Sequence, residues 1–262
     1  MVSGIDSQAS NGLECVYIGS KEVSMTAGSD QDIKTVVESL KANRFGTVEF
    51  VEDAHTAVRT VLDMIPLEAK VGMGGSMTIR QIGLRDQLTK RGNIQIIRPG
   101  ELSIAEFRRL QSDIFLTSSN AVTLDGKLVN IDATGNRVAA MIYGPQKVIL
   151  VIGQNKIVRD VDEAIKRVKY VIAPYHGMTM GIQAPCAVDG RCIDCKSPGR
   201  ICNITTIIEK KPRMTEFAIV LVGQDLGLGW DPDWPKERKE RIASTYRAEW
   251  EKERATFPPP RP

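Results

Sequence analysis

No stretch of this 262-residue chain approaches the ~20 consecutive apolar residues that span a bilayer. The first residues also lack the basic-then-apolar order of a signal peptide. Charge of one sign is missing too, since 35 basic residues against 32 acidic ones leave a net charge of only +3. The densest basic run, Lys236, Arg238, Lys239 and Arg241, is interleaved with Glu237 and Glu240. That mixture suits a solvated helix face better than a nucleic-acid footprint. There are two histidines, His55 and His176, and no distinctive Ser-His-Asp or Cys-His signature. No internal repeat is visible. These absences argue against a membrane or nucleic-acid partner and make a reducing, cytoplasmic setting the expectation. At 42% hydrophobic residues, the chain has enough apolar material for a sizeable core.

Cysteine is scarce but concentrated. Of five, Cys186, Cys192, Cys195 and Cys202 fall in one stretch, spaced C-x5-C-x2-C-x6-C, while Cys15 stands apart in a small, polar N-terminal segment that gives no sign of activation. In a reducing compartment clustered thiols point to metal or redox chemistry. Four thiolates converging on one point hold Zn2+ or an iron–sulfur cluster. Cys192 and Cys195 form the one C-x2-C hook, whereas structural zinc sites often show two, so the pattern leans to a 4Fe-4S cluster with zinc as the alternative. A buried-thiol loop and a redox disulfide through Cys192 and Cys195 also stay open. The surrounding Pro185, Asp189-Gly190 and Pro198-Gly199 read as loop, and His176, ten residues before Cys186, is a further conceivable zinc ligand.

Along the chain, residues 1–24 read as a tail, 25–231 as the main domain with its cysteine-rich loop at 185–203, and 232–262 as a charged helix and tail. Ile33, Val36, Val37 and Leu40 share one helix face, and Thr47–Val51 reads as a strand. Asp53 caps a second helix that stops before Pro66. A strand at Val71 runs into a glycine turn, followed by one helix through Ile79, Ile82, Leu84 and Leu88. Asn93–Arg98 is expected as a strand, Leu102–Leu110 as a helix and Asp113–Ser118 as a strand. Asp125-Gly126 marks a hairpin turn. Lys147–Ile152 is the most apolar strand candidate, Asp160–Val168 an amphipathic helix, and Ile204–Ile208 and Phe217–Val222 are β-branched runs. Strands alternating with helices imply an α/β fold with a mainly parallel, Rossmann-like sheet. Ligands bind such sheets beyond the carboxyl ends of the strands, which directs attention to the turns after Val71, Leu116 and Ile152.

Those turns carry the candidate site residues. Gly72, Gly74, Gly75, Ser76 and Thr78 form a strand–turn–helix junction whose amides and hydroxyls suit a phosphate or carboxylate. The plain alternative is a tight turn with Ser76 as an N-cap. Ser118, Ser119 and Asn120 follow the next strand, and Asp125, Asp132, Asn136 and Arg137 complete the densest polar run. Arg137 suits a bidentate carboxylate clamp, and Asp125 or Asp132 a general base. Lys156 adds a positive charge after Lys147–Ile152.

Four stretches carry a family resemblance: VGMGGSMTIRQIGL (71–84), TSSNAVTLDGKLVNIDATGNRVAAMIYGP (117–145), KVILVIGQNKIV (147–158) and CAVDGRCIDCKSPGRICNITTIIEKKP (186–212). Over residues from about 30 to 230 the chain resembles the LUD domain, the family named for lactate utilization, in its small stand-alone form. The resemblance implies a fold related to ribose-5-phosphate isomerase, glucosamine-6-phosphate deaminase and CoA transferases. It implies a pocket lined by Gly72, Gly74, Gly75 and Ser76 with Asp125, Asp132, Asn136 and Arg137 opposite. It also implies a link to oxidation of L-lactate to pyruvate alongside other lactate-utilization proteins of an iron–sulfur system. An isomerase or transferase acting on a sugar phosphate or acyl-CoA is the alternative, as is a non-catalytic sensor or assembly factor whose charged C-terminal helix meets a partner. A homo-oligomer is compatible with each of these.

Overall fold

Lys147–Gly153 is apolar at nearly every position, which suits a strand covered on both faces. The computed structural model describes residues 29–93 and 112–256. Their strands in chain order are β1 (Thr47–Val51), β2 (Val71–Met73), β3 (Ile114–Thr117), β4 (Ala121–Thr123), β5 (Leu128–Asp132), β6 (Lys147–Gly153), β7 (Ile157–Val158), β8 (Ile204–Ile208) and β9 (Glu216–Val222). The helices are α1 (Asp30–Ala42), α2 (Ala54–Asp63), α3 (Met77–Gln81), α4 (Leu84–Lys90), α5 (Asn136–Ile142), α6 (Val161–Arg167), α7 (Ala173–Met180), α8 (Pro185–Asp189) and α9 (Lys236–Thr256).

A five-stranded sheet in the order β1-β9-β6-β3-β2 forms the centre, and each of its pairings is parallel. The α/β class with a mainly parallel sheet expected from the sequence is the observed one. A second sheet, β7-β4-β5-β8, holds the β4–β5 hairpin around Asp125-Gly126 and pairs β8 antiparallel to β5.

Alternation along β6 sends Ile149 and Val151 to one face, where they meet Val58 and Val61 of α2, Ile79 of α3 and Leu84 of α4. Val148, Leu150 and Ile152 point the other way, against Val36 and Leu40 of α1 and Val122 and Leu128 of the second sheet. Burial of each such side chain contributes about 1.5–3 kcal/mol. This two-sided cover rigidly fixes the sheet edge where β2, β3 and β6 end side by side.

Helix starts follow their caps. Ser29 and Asp32 form a reciprocal capping box on α1, and Asp53 caps α2 through the Thr56 amide. The single helix expected after the glycine turn is instead two, α3 and α4, broken at Gly83, whose φ of +71° places it in the left-handed region. The stretch between α6 and the cysteines, expected to pass straight into loop, continues as a π-helical turn (Val168–Ile172) into α7. Cys186 itself sits in α8, so the cysteine segment begins as a helical turn. The charged C-terminal helix α9 is solvated on one side only. It docks through buried Ile242 and Tyr246, and Glu253 pairs with Arg80 at 3.0 Å and Arg85 at 2.9 Å. Among the described residues no helix is long and apolar enough to cross a membrane. The tail 1–24, Cys15, the Leu102–Leu110 helix, Pro258–Pro260 and all but the first residue of the Asn93–Arg98 strand lie outside the described residues.

Candidate functional site

The parallel register of β2, β3 and β6 brings the glycine turn, Ser118 and Lys156 to one edge. Lys156 follows β6 in a single 3-10 turn (Gln154–Lys156) and is 5% exposed. Its Nζ donates to Thr78 Oγ1 at 2.8 Å and to Ser118 Oγ at 2.8 Å. Thr78 belongs to α3 and Ser118 follows directly on β3, so the amine ties together three segments of the edge. Burial, and then the nearby Arg137 guanidinium, lower the Lys156 pKa from 10.5 to about 7.

Arg137 opens α5 and points back over the ends of β3 and β5. Its Nη1 donates to the Ser118 carbonyl at 3.1 Å and to Asn130 Oδ1 at 2.5 Å. Its Nη2 donates to Asn120 Oδ1 at 3.0 Å and to the Asp132 carboxylate. Asp132 accepts a second bond from the Val138 amide at 3.1 Å. The four terminal N–H bonds of Arg137 are therefore all directed at protein acceptors, and a ligand clamp would have to displace some of them. Gly74 lies over this group: a Cβ there would stand 3.2 Å from Thr117 Oγ1 and 3.3 Å from Arg137 Cγ. Thr117 Oγ1 and Asn130 Nδ2 are buried without a hydrogen-bond partner. Buried polar atoms are normally satisfied; five further ones stand unpartnered elsewhere among the described residues, so what distinguishes this pair is its place beside Arg137.

Of the residues expected at the site, the structure gathers Gly74, Thr78, Ser118, Asn120, Asp132, Arg137 and Lys156. Ser119 turns inward and bonds the Ala121 carbonyl at 2.7 Å, which shapes the turn. Gly72 packs on Ser112, Gly75 faces open space, and Ser76 makes no side-chain cap bond. Asn136 is exposed at the start of α5. Asp125 lies at the far end of the β4–β5 hairpin, where it pairs with Lys127 at 2.8 Å and Thr123. It is thus separated from Asp132 by the length of β5, and opposite the glycine turn only Asp132 and Arg137 are found. Thr117 and Asn130 belong to the dense polar run of the sequence but are not among its candidate site residues, and Gly227 is not singled out there at all. Asn130 alone offered a signal, an amide in the middle of the otherwise apolar, fully buried run Leu128–Ile131. Two cavities adjoin this edge. One of about 350 Å3 is lined by Gln81, Gln154, Asp225, Gly227 and Arg241. The other, about 610 Å3, runs between α1 and the ends of β1, β6 and β9. Gly227 joins the first cavity to the amine: a Cβ on it would lie 2.5 Å from Thr78 Oγ1 and 3.3 Å from Lys156 Nζ.

The four loop cysteines are free thiols. Burial pushes the Cys186 thiol above its ordinary value, and Cys195, Cys192 and Cys202 push it further, so the four are electrostatic neighbours. Arg200 straps the segment by donating to the Cys195 carbonyl at 2.6 Å, the Cys202 carbonyl at 3.1 Å and Asp194 at 2.7 Å. Asp194 has a φ of +49°, which Asp tolerates better than most side chains. Among the described residues no group of three or more His, Cys, Asp or Glu is gathered as a metal ion requires. Four neighbouring thiols are nonetheless the donor chemistry that a soft metal would require, since such a cation would hold them as thiolates. His176 is turned away from this use, since Nδ1 bonds the Tyr246 hydroxyl of α9 and burial lowers its pKa to about 4. The exit of the loop reaches the polar cluster, where the Asn203 amide donates to the Asp132 carbonyl at 3.0 Å.

Comparison with known proteins bears on this arrangement. No curated protein matches the chain. Among solved structures, a DUF162 family protein from Deinococcus radiodurans is similar at 15% identity, covering 73% of this chain and 96% of that one with a TM-score of 0.44. The family model of the LUD domain matches residues 33–222, which spans both the polar edge and the cysteine segment, and on that match the chain belongs to the LUD domain family, which is associated with lactate utilization.

Proposed function

We propose that this protein is a component of lactate or related 2-hydroxy-acid utilization that binds a small carboxylate or phosphate beside the glycine turn, with a four-cysteine centre in the adjoining loop. The observation that carries the ligand reading is Lys156. It is a buried amine held by two hydroxyls, with no carboxylate partner among the described residues. An anion entering there supplies the missing countercharge, which favours its binding. The glycine turn leaves Gly75 open to such a ligand, and Thr117 and Asn130 offer unpartnered polar atoms below it. Arg137 acts in this reading chiefly by holding Asn120, Asn130 and Asp132 in place and by its positive field. Asp132 has an acceptor bond on each oxygen and Asp125 is ion-paired elsewhere, so neither favours the general-base role of the isomerase or transferase alternative.

Cys186, Cys192, Cys195 and Cys202 would hold the metal centre, a 4Fe-4S cluster in the preferred reading and zinc in the alternative. A cluster supplies one-electron transfer, whereas zinc knits the loop. The test combines two measurements on the intact protein. Anaerobic purification followed by iron, zinc and acid-labile sulfide analysis is expected to give iron with sulfide; neither metal would refute the centre. Calorimetric titration with L-lactate, pyruvate and inorganic phosphate is expected to show binding that Lys156→Met weakens at least tenfold. Unchanged affinity in that variant would refute the ligand site.

A further inference from the structure

We infer that Lys156 is a nucleophile, whose amine forms an imine with a small 2-oxo carboxylate seated between the glycine turn and the ends of β3 and β6. The inference rests on the carboxylate-binding reading above and adds a covalent step to it.

The first argument is the treatment of buried cations in this molecule. Arg137 is paired with Asp132, Arg167 with Glu163 and Asp231, and Arg80 with Glu253. Lys156 is buried nearly as deeply as Arg167, yet the charge that acts on it is the guanidinium of Arg137, of the same sign. Desolvation beside a second cation is the environment that turns a lysine into a free amine and an effective nucleophile. The depression of its pKa to about 7 accords with that.

The second argument is stereochemical. A neutral amine carries two N–H bonds and one lone pair. Thr78 and Ser118 hydroxyls, each at 2.8 Å, are the protein partners of the nitrogen, and no third one is present among the described residues, so one tetrahedral position of the nitrogen is left to a ligand. The wall beside the amine is Gly227, which has no side chain and a φ of +69°, and the cavity of about 350 Å3 lies on its other side. Thr117 Oγ1, buried and without a partner, stands between Gly74 and the Arg137 stem and can bond a ligand oxygen.

In the step itself the Lys156 lone pair forms a bond to the carbonyl carbon as the carbonyl π bond breaks. The nitrogen, now carrying a positive charge, gives up one proton to the alkoxide oxygen through the Ser118 or Thr78 hydroxyl, which leaves a carbinolamine; its second proton departs with the hydroxyl in the next step. Loss of water, with the nitrogen lone pair closing the C=N bond and the Ser118 or Thr78 hydroxyl relaying the proton to the departing oxygen, leaves the imine. No oxidant or reductant is consumed. A 2-hydroxy acid lacks the carbonyl and binds without reacting.

The test is reductive trapping on the full chain. Protein is incubated with pyruvate or glyoxylate and cyanoborohydride, then digested and mapped by mass spectrometry. The expected result is one modification, on Lys156, adding the mass of the acid less one oxygen, slowed by L-lactate as a competitor. Lys156→Arg retains N–H donors and offers the carboxylate a cation but has no nucleophilic amine, and is expected to keep binding but lose the adduct. If calorimetry shows the acids bind while Lys156 stays unmodified, the nucleophile is refuted and the binding site stands. Absence of both binding and adduct refutes both readings, and modification spread evenly over exposed lysines refutes the nucleophile.

Discussion

Asp132 and Arg137 face each other across the turn from β5 into α5, with side chains 7% and 15% exposed. Their bond closes a network that includes Asn120, Asn130, the Ser118 carbonyl and the Val138 amide. Removing one partner leaves the other charge enclosed and unpaired. Asp132→Ala is therefore expected to lower the stability in urea by about 3–5 kcal/mol, and Arg137→Ala by a similar amount. Asp132→Asn keeps an acceptor for Arg137 and is expected to cost less. The double variant Asp132→Ala/Arg137→Ala should cost well under the sum of the singles, because the pair is lost only once. Strict additivity would show that the two residues are not coupled.

Gly227 controls the seat of Lys156. Its positive φ disfavours any L side chain, and a methyl group there would overlap the Thr78 hydroxyl. Gly227→Ala is expected to cost roughly 1–3 kcal/mol through strain and overlap. Its more telling effect is on binding: displaced Thr78 no longer holds the amine, so anion affinity should fall more than fivefold while the far-ultraviolet circular dichroism stays that of the wild type. Retained affinity would show that the Gly227 wall is not part of the site.

The parallel sheet was legible in the sequence because its strands are apolar on both faces, and Lys147–Ile152 and Phe217–Val222 read as strands for that reason, each within one residue of the observed bounds. The carboxyl edge of the sheet, where the candidate residues lie, followed from that reading. In the sequence Lys156 is a candidate only as a positive charge following a strand, where a lone lysine is more often solvated; its burial comes from Thr78, Ser118 and Gly227, which lie 38 to 78 residues away in the chain. Asp125 and Asp132 look equivalent in a polar run, and only the length of the hairpin between them separates a turn residue from a partner of Arg137. The charges of α9 concealed its docking, because Ile242, Tyr246 and Trp250 are too sparse to give a strong apolar periodicity, and the pairing of Glu253 with Arg80 and Arg85 is a tertiary fact.

The state of Lys156 sets a pH signature. In the folded protein its pKa is about 7, and in the unfolded chain it returns to the ordinary lysine value of 10.5. Between these values the unfolded chain holds a proton that the folded protein does not, so stability rises with pH across that window. Below pH 7 both states are protonated and the penalty for burying the charge is present in full. Comparison with Lys156→Met removes the contribution of every other titrating group. The variant is expected to be the more stable protein below pH 7, and its advantage should shrink by up to roughly 4 kcal/mol as pH rises towards 10.5, at 1.36 kcal/mol per pKa unit. A saturating anion without a carbonyl, such as phosphate, supplies the countercharge and favours the protonated amine, so with phosphate bound the wild-type rise should begin at higher pH. Denaturant titrations of both proteins from pH 6 to pH 10 measure each part. A stability difference that stays flat over this range would show that Lys156 keeps its proton in the folded state, and would remove the free amine on which its chemistry depends.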